Sequence, residues 1–160
     1  MEGNRVKIIN LPRKISMHVY EYADKEQFKD QYAGADENLL ALYIIWQEGM
    51  SVYIALRRVL FWNVPVAFAS LIDCANLSGE AKKLCELFDI PKKYGGVFIN
   101  DFRVAIPFRG KGYGKMIASE LIKKKKGKYL LKAEEDGTWF WPRLGFKSTC
   151  KDGFLELVVE

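Results

Sequence analysis

VFINDFRVAIPFRGKGYGKMIASELI, residues 97–122, decides the reading of this chain. An apolar run with strand character passes through a turn rich in glycine into an amphipathic helical pattern. Strand, turn and helix in that order form the geometry of an anion cradle, because the first amides of a helix point outward with no intrahelical partner. Between Phe102 and Ala118 there is no Ser, Thr, Asp or Asn, so this helix start has no side-chain cap available from its own sequence. Arg109, Lys111 and Lys115 crowd the positive end of the helix dipole, where each cation is disfavoured by roughly 0.3–1 kcal/mol unless an anion sits among them. Gly110, Gly112 and Gly114 remove the side chains that would keep a phosphate from the backbone, although glycine in a helix costs about 1 kcal/mol relative to alanine. Three local costs at one place point to a phosphate or pyrophosphate that offsets them. The competing reading, a glycine turn packed under a neighbouring strand with its cations in water, stays open at this level.

Known phosphate motifs can be tested against these residues. A Walker A loop needs a glycine where this chain has Arg109 and Ser or Thr where it has Met116, so that pattern fails twice. A dinucleotide fingerprint fails at its third glycine, and too little chain follows to build the remaining parallel strands. The pattern R/Q-x-x-G-x-G/A is satisfied by Arg109, Gly112 and Gly114, directly after a strand whose Val104 lies five residues before the arginine.

At this point the sequence resembles the GCN5-related N-acetyltransferase (GNAT) family. INDFRV, residues 99–104, looks like that family's fourth strand, and WFWPRLGF, residues 139–146, looks like its downstream aromatic-x-x-x-Gly-Phe element. The resemblance covers residues 97–160 and, before them, only the order of elements. It implies an α/β fold with a central mixed, mostly antiparallel sheet and helices on both faces, and acetyl-CoA as co-substrate. It also implies transfer of acetyl to an amine of a small molecule, peptide or protein in a ternary complex. Backbone contacts to the pantetheine arm then fall to Phe102, Arg103 and Val104. The pyrophosphate falls to Arg109, Gly110, Lys111, Gly112, Tyr113, Gly114 and Lys115. A backbone amide near Val104 would stabilise the oxyanion.

The side chains that relatives use for proton transfer are altered. Asn100 stands where many carry glutamate, Trp141 where a tyrosine is frequent, and Glu134 where an asparagine is frequent. Asn100 orients water but accepts no proton as a base, and an indole is not a usable acid. Strand alternation sends Asp101 to the opposite side of the sheet from Asn100. Either protons move through water and a carboxylate elsewhere, with Glu21, Asp73 and Glu134 as candidates, or the chain is a catalytically silent CoA-binding module.

Around this segment, the 160 residues are 49% apolar and 28% charged and show no repeat or linker, which fits one domain over residues 1–160. The N-terminal residues lack a signal-peptide core, and the longest charge-free stretch, residues 59–72, is too short for a bilayer span. A cytoplasmic protein with no membrane partner is the expectation. Cys74, Cys85 and Cys150 form no paired pattern and His18 is the only histidine, so no metal is expected. A net charge of +5 suits a nucleotide-like cofactor. Lys123 to Lys126 read as a solvated helix end, nucleic acid is not expected, and a homodimer is allowed.

Before the cradle, the spacing predicts a strand at 17–22, helices at 24–32 and 37–47, and strands at 52–61 and 66–72 separated by a break at Trp62-Asn63-Val64-Pro65. A helix at 78–88 follows, with Leu84, Leu87 and Phe88 on one side. The strand at 97–105 and a helix at 112–125 form the cradle. A strand at 129–133, a helical turn at 138–144 and a hairpin over 147–160 turning at Asp152-Gly153 close the chain.

Overall fold

The computed structural model describes residues 7–10, 16–22, 49–59, 62–90, 95–123, 125–151 and 153–160. The helices expected at 24–32 and 37–47 lie outside the described residues. Among the described residues, eight strands form one sheet: β1 (Lys7–Asn10), β2 (Ser16–Tyr22), β3 (Ser51–Val59), β4 (Trp62–Asp73), β5 (Val97–Val104), β6 (Gly127–Lys132), β7 (Lys147–Ser148) and β8 (Phe154–Val159). Their order is β1-β2-β3-β4-β5-β6-β8-β7. Every pairing is antiparallel except β5 with β6. That parallel pair needs a crossover, and helix α2 (Tyr113–Lys123) provides it. Helix α1 (Gly79–Leu87) connects β4 to β5.

The sheet separates two cores. On one face α2 buries Tyr113, Ile117, Ala118, Leu121 and Ile122, a stripe at helical spacing, against Ala67, Ala69, Leu71, Val97, Ile99 and Leu131. On the other, Ala81 and Cys85 of α1 join Val52, Ile54, Leu56, Phe68, Ile72 and Phe98. Residues of both cores alternate along β3, β4 and β5, so these central strands are buried on both sides and read in sequence as nearly continuous apolar runs. Helices on both faces of a mostly antiparallel sheet are the expected architecture.

Two local expectations need correction. Trp62 to Pro65 are not a break but the first residues of β4, paired with Val59 to Leu56. The proline is absorbed by a β-bulge: Leu56 opposes Pro65 and Ala55 opposes Ala67, leaving Val66 as the extra residue. The Val66 carbonyl instead accepts the Ala105 amide at 2.9 Å, so the main chain stays satisfied. In α1, Leu84 and Phe88 pack against the core as expected, but Leu87 is 76% exposed, because the buried stripe runs through Ala81 and Cys85. The strand at β6, the hairpin of β7 and β8, and the short helical turn at Trp141–Leu144 agree with the sequence reading, while a second turn at Glu135–Gly137 was not expected.

Candidate functional site

β5 carries the site because it loses one neighbour partway along its length. It pairs with β6 only at Val97, Phe98 and Ile99, opposite Tyr129, Leu130 and Leu131. From Asn100 to Val104 it keeps β4 but has no pairing with β6. The two strands thus fork, and one backbone edge of β5 is open to a ligand with amide groups of its own.

After β5 the chain turns through a short helical segment at Ile106–Phe108 into the glycine-rich loop. Arg109 Nε donates to the Val104 carbonyl at 2.9 Å and Lys111 Nζ donates to the Pro107 carbonyl at 2.9 Å, so both cations fasten the loop to the end of β5. The first α2 amide with a protein acceptor is that of Met116, bonded to the Gly112 carbonyl at 3.2 Å. Among the described residues, the amides from Gly110 to Lys115 have no protein partner. An uncapped helix start with glycines ahead of it is what the sequence predicted.

The three glycines divide into two kinds. Gly110 and Gly112 sit at φ +71° and +82°, and a Cβ on either would meet nothing within 4 Å. The position a side chain would take at each opens on space. Gly114 is different: a Cβ there would lie 3.3 Å from Val104 Cγ2 and 3.4 Å from Phe140 Cε2. Its missing side chain lets α2 approach β5 and the aromatic segment, which is the packing role the competing reading assigned to the whole turn. Tyr113 likewise turns inward. Its ring is 6% exposed, packs edge-on to Phe108, and its hydroxyl accepts from Arg57 Nη1 of β3 at 3.0 Å. Its side chain therefore belongs to the core and not to the cradle.

The expected proton-transfer residues are not brought together. Trp141 is 7% exposed, with Phe102, Phe140 and Phe146 around it at ring-centre distances of 5.4, 4.9 and 5.3 Å. Its indole belongs to the core on the α2 face. Glu134 is exposed and precedes the Glu135–Gly137 turn without a side-chain capping bond. Asn100 lies on the opposite face, where its Nδ2 donates to Ser70 Oγ at 3.1 Å and lies 3.8 Å from Met50 Sδ. Glu21 accepts from the Tyr53 hydroxyl at 2.7 Å, two strands removed from β5, and burial together with that carboxylate pushes the Tyr53 phenol up. Asp73 pairs with Lys125 at 2.8 Å at the far end of β4, and that hydrogen bond holds its carboxyl below the ordinary range.

Asp101 departs from the sequence reading. Ser70 opposes Asp101, but its neighbour Leu71 opposes Ile99, so β5 carries a bulge with Asn100 as the extra residue. Opposed residues of an antiparallel pair share a face. Asp101 therefore stands on the Phe68 and Ile72 side, the same side to which Asn100 reaches Ser70, not on the opposite one. Simple alternation fails because the bulge inserts one residue.

No protein-family model matches the chain, and no curated protein matches it in sequence. Solved structures do match in three dimensions. The KacTA–DNA complex aligns at a TM-score of 0.60 and 12% identity, over 89% of this chain and 92% of that one. AtaTR bound with AcCoA aligns at 0.59 and 11%, over 89% and 92%. A histone acetyltransferase HPA2 and related acetyltransferase from Corynebacterium glutamicum ATCC 13032 aligns at 0.51 and 14%, over 98% and 97%. The chain has the GNAT fold. At these identities the likeness carries architecture alone. Within the GNAT fold, the start of α2 is the feature that the sequence pattern singled out, and the edge of β5 beside the fork carries Phe102, Arg103 and Val104, the residues that the resemblance implied for the pantetheine arm. Sequence reasoning missed the bulge at Asn100, for which the only signal is the polar pair Asn100-Asp101 interrupting an otherwise apolar strand. No helix among the described residues is long and apolar enough to cross a membrane.

Proposed function

We propose that this chain is an acyl-CoA-dependent N-acyltransferase that moves acetyl from acetyl-CoA to an amine in a ternary complex. The observation that carries the reading is the run of unpartnered amides from Gly110 to Lys115, opening on space at Gly110 and Gly112 and flanked by Arg109, Lys111 and Lys115. Amides and cations converging at a helix N-terminus fit a diphosphate. The edge of β5 at Phe102, Arg103 and Val104, unpaired with β6 and with only the Val104 carbonyl occupied among the described residues, by Arg109 Nε, fits the amide-bearing arm that such a cofactor carries. When bound, acetyl-CoA supplies the activated acyl group. The chain's own contribution is positioning and a backbone donor for the developing oxyanion, two terms that together supply much of acyl-transfer catalysis. The acceptor is an amine on a small molecule, peptide or protein.

A silent CoA-binding module is the second reading, and the burial of Trp141 favours it, since that ring offers no acid to a departing thiolate. Calorimetry with CoA and acetyl-CoA, followed by thiol release with a panel of amines, separates the two. Binding with amine-dependent thiol release supports the enzyme. Binding without turnover supports the module. No binding to either contradicts both. Gly112→Glu is expected to abolish CoA binding while circular dichroism stays native, because it sets a carboxylate beside the helix start where the diphosphate is expected, and a Cβ there meets nothing within 4 Å. Gly112→Ala carries the same left-handed strain, roughly 1–2 kcal/mol, and is expected to keep binding. Unchanged affinity in Gly112→Glu removes the cradle.

A further inference from the structure

We propose that Asp101 is the catalytic carboxylate of this site, receiving a proton from the acceptor ammonium; the inference rests on the acyltransferase reading above. Three observations converge on it. The bulge at Asn100 swings Asp101 onto the same face as Asn100 and Ser70. That bulge falls directly after Ile99, the last β5 residue paired with β6, so Asp101 stands at the opening of the fork where the acyl group is expected. Its side chain is 13% exposed, confined yet still reached from outside, whereas Glu134 is on the surface beyond the end of β6, and Glu21 and Asp73 are engaged elsewhere.

Arg103 Nε lies 3.0 Å from both carboxylate oxygens of Asp101 and is itself 55% exposed. It fixes the carboxylate while leaving lone pairs for an ammonium. Asn100 completes the arrangement. Its Nδ2 is held by Ser70 and Met50, which orients its Oδ1 as a second acceptor for the ammonium or for a water bridging to Asp101. A cation is thereby recognised by one charge and one dipole.

The step balances as follows. One ammonium proton passes to Asp101, directly or through that water. The freed lone pair forms the C–N bond and the C–S bond breaks. The surplus proton left on nitrogen goes by way of water to the departing sulfur, giving amide and thiol, and Asp101 releases its proton to solvent. No redox partner or metal enters.

The test uses the full chain and whichever amine of spermidine, lysine amide and a lysine-containing peptide releases CoA thiol fastest. In Asp101→Asn, CoA affinity by calorimetry is expected to stay native, showing an intact fold and cradle. Binding of the amine to the CoA complex, which cannot turn over, is expected to weaken about tenfold, in line with loss of a charged hydrogen bond. Turnover near pH 7 is expected to fall about 100-fold, the lower range for a general base. The deficit should shrink as pH approaches the amine's own value of about 10, where solvent has already removed the proton. Asp101→Glu is expected to recover most activity. Native amine binding and turnover in Asp101→Asn overturns the proposal, as does an equal loss at every pH, while the acyltransferase reading survives both. Absence of thiol release from the unaltered chain with every amine overturns both.

Discussion

At Gly112 the main chain adopts φ +82° with open space beyond Cα, whereas at Gly114 two side chains close in to 3.3 and 3.4 Å. The same residue type thus answers to a ligand-sized opening in one case and to packing in the other. Gly114→Leu is expected to destabilise the fold by about 1–3 kcal/mol through overpacking against Val104 and Phe140, read as a shift in the urea midpoint. A native midpoint would show that α2 and the aromatic segment adjust freely. The spacing of Arg109, Gly112 and Gly114 was readable from sequence alone, but the division of labour among the glycines was not, because it depends on residues far along the chain such as Phe140. Asp101 was misread for a related reason. Alternation gives the face of a strand residue only while the register is unbroken, and the extra residue at Asn100 appears only when β4 and β5 are laid side by side.

Among the elements, the segment from β5 to α2 was the most legible, since the strand period, the glycine turn and the helix period succeed one another without ambiguity. The limits of β4 were less so. Pro65 reads locally as an interruption, yet a bulge accommodates it within the strand, a tertiary solution to a local conflict. Helix α1 was expected, but not what ends it. Lys151, from the turn between β7 and β8, donates to the carbonyls of Phe88 and Asp89 and pairs with the Asp89 carboxylate at 3.3 Å, while its Nζ sits 4.9 Å from the centre of the Phe154 ring. A cation at a helix C-terminus is favoured by the orphan carbonyls there. Lys151→Met keeps the aliphatic stem and is expected to cost about 1 kcal/mol, with faster hydrogen exchange in the last turn of α1 and little change near α2. Equal change at both helices would mean that Lys151 acts on the whole fold and not on that terminus.

Over the whole molecule, an eight-stranded sheet with α1 and α2 on opposite faces positions two things along one strand. Among the described residues, β5 has no β6 partner past Ile99, where only the Val104 carbonyl is taken, by Arg109 Nε, and past Val104 the loop presents unpartnered amides at the start of α2. Tyr113 ties that helix start to Arg57 of β3 at 3.0 Å, so the cradle is fastened to the core. Comparison at 11–14% identity supports this architecture and leaves the chemistry to the residues themselves. The most direct measurement is a CoA titration of protein labelled with 15N at its 13 glycines, followed by amide chemical shifts. Gly110, Gly112 and Gly114 are expected to move first and furthest, in step with saturation. Saturable CoA binding with those three signals unmoved would contradict the cradle.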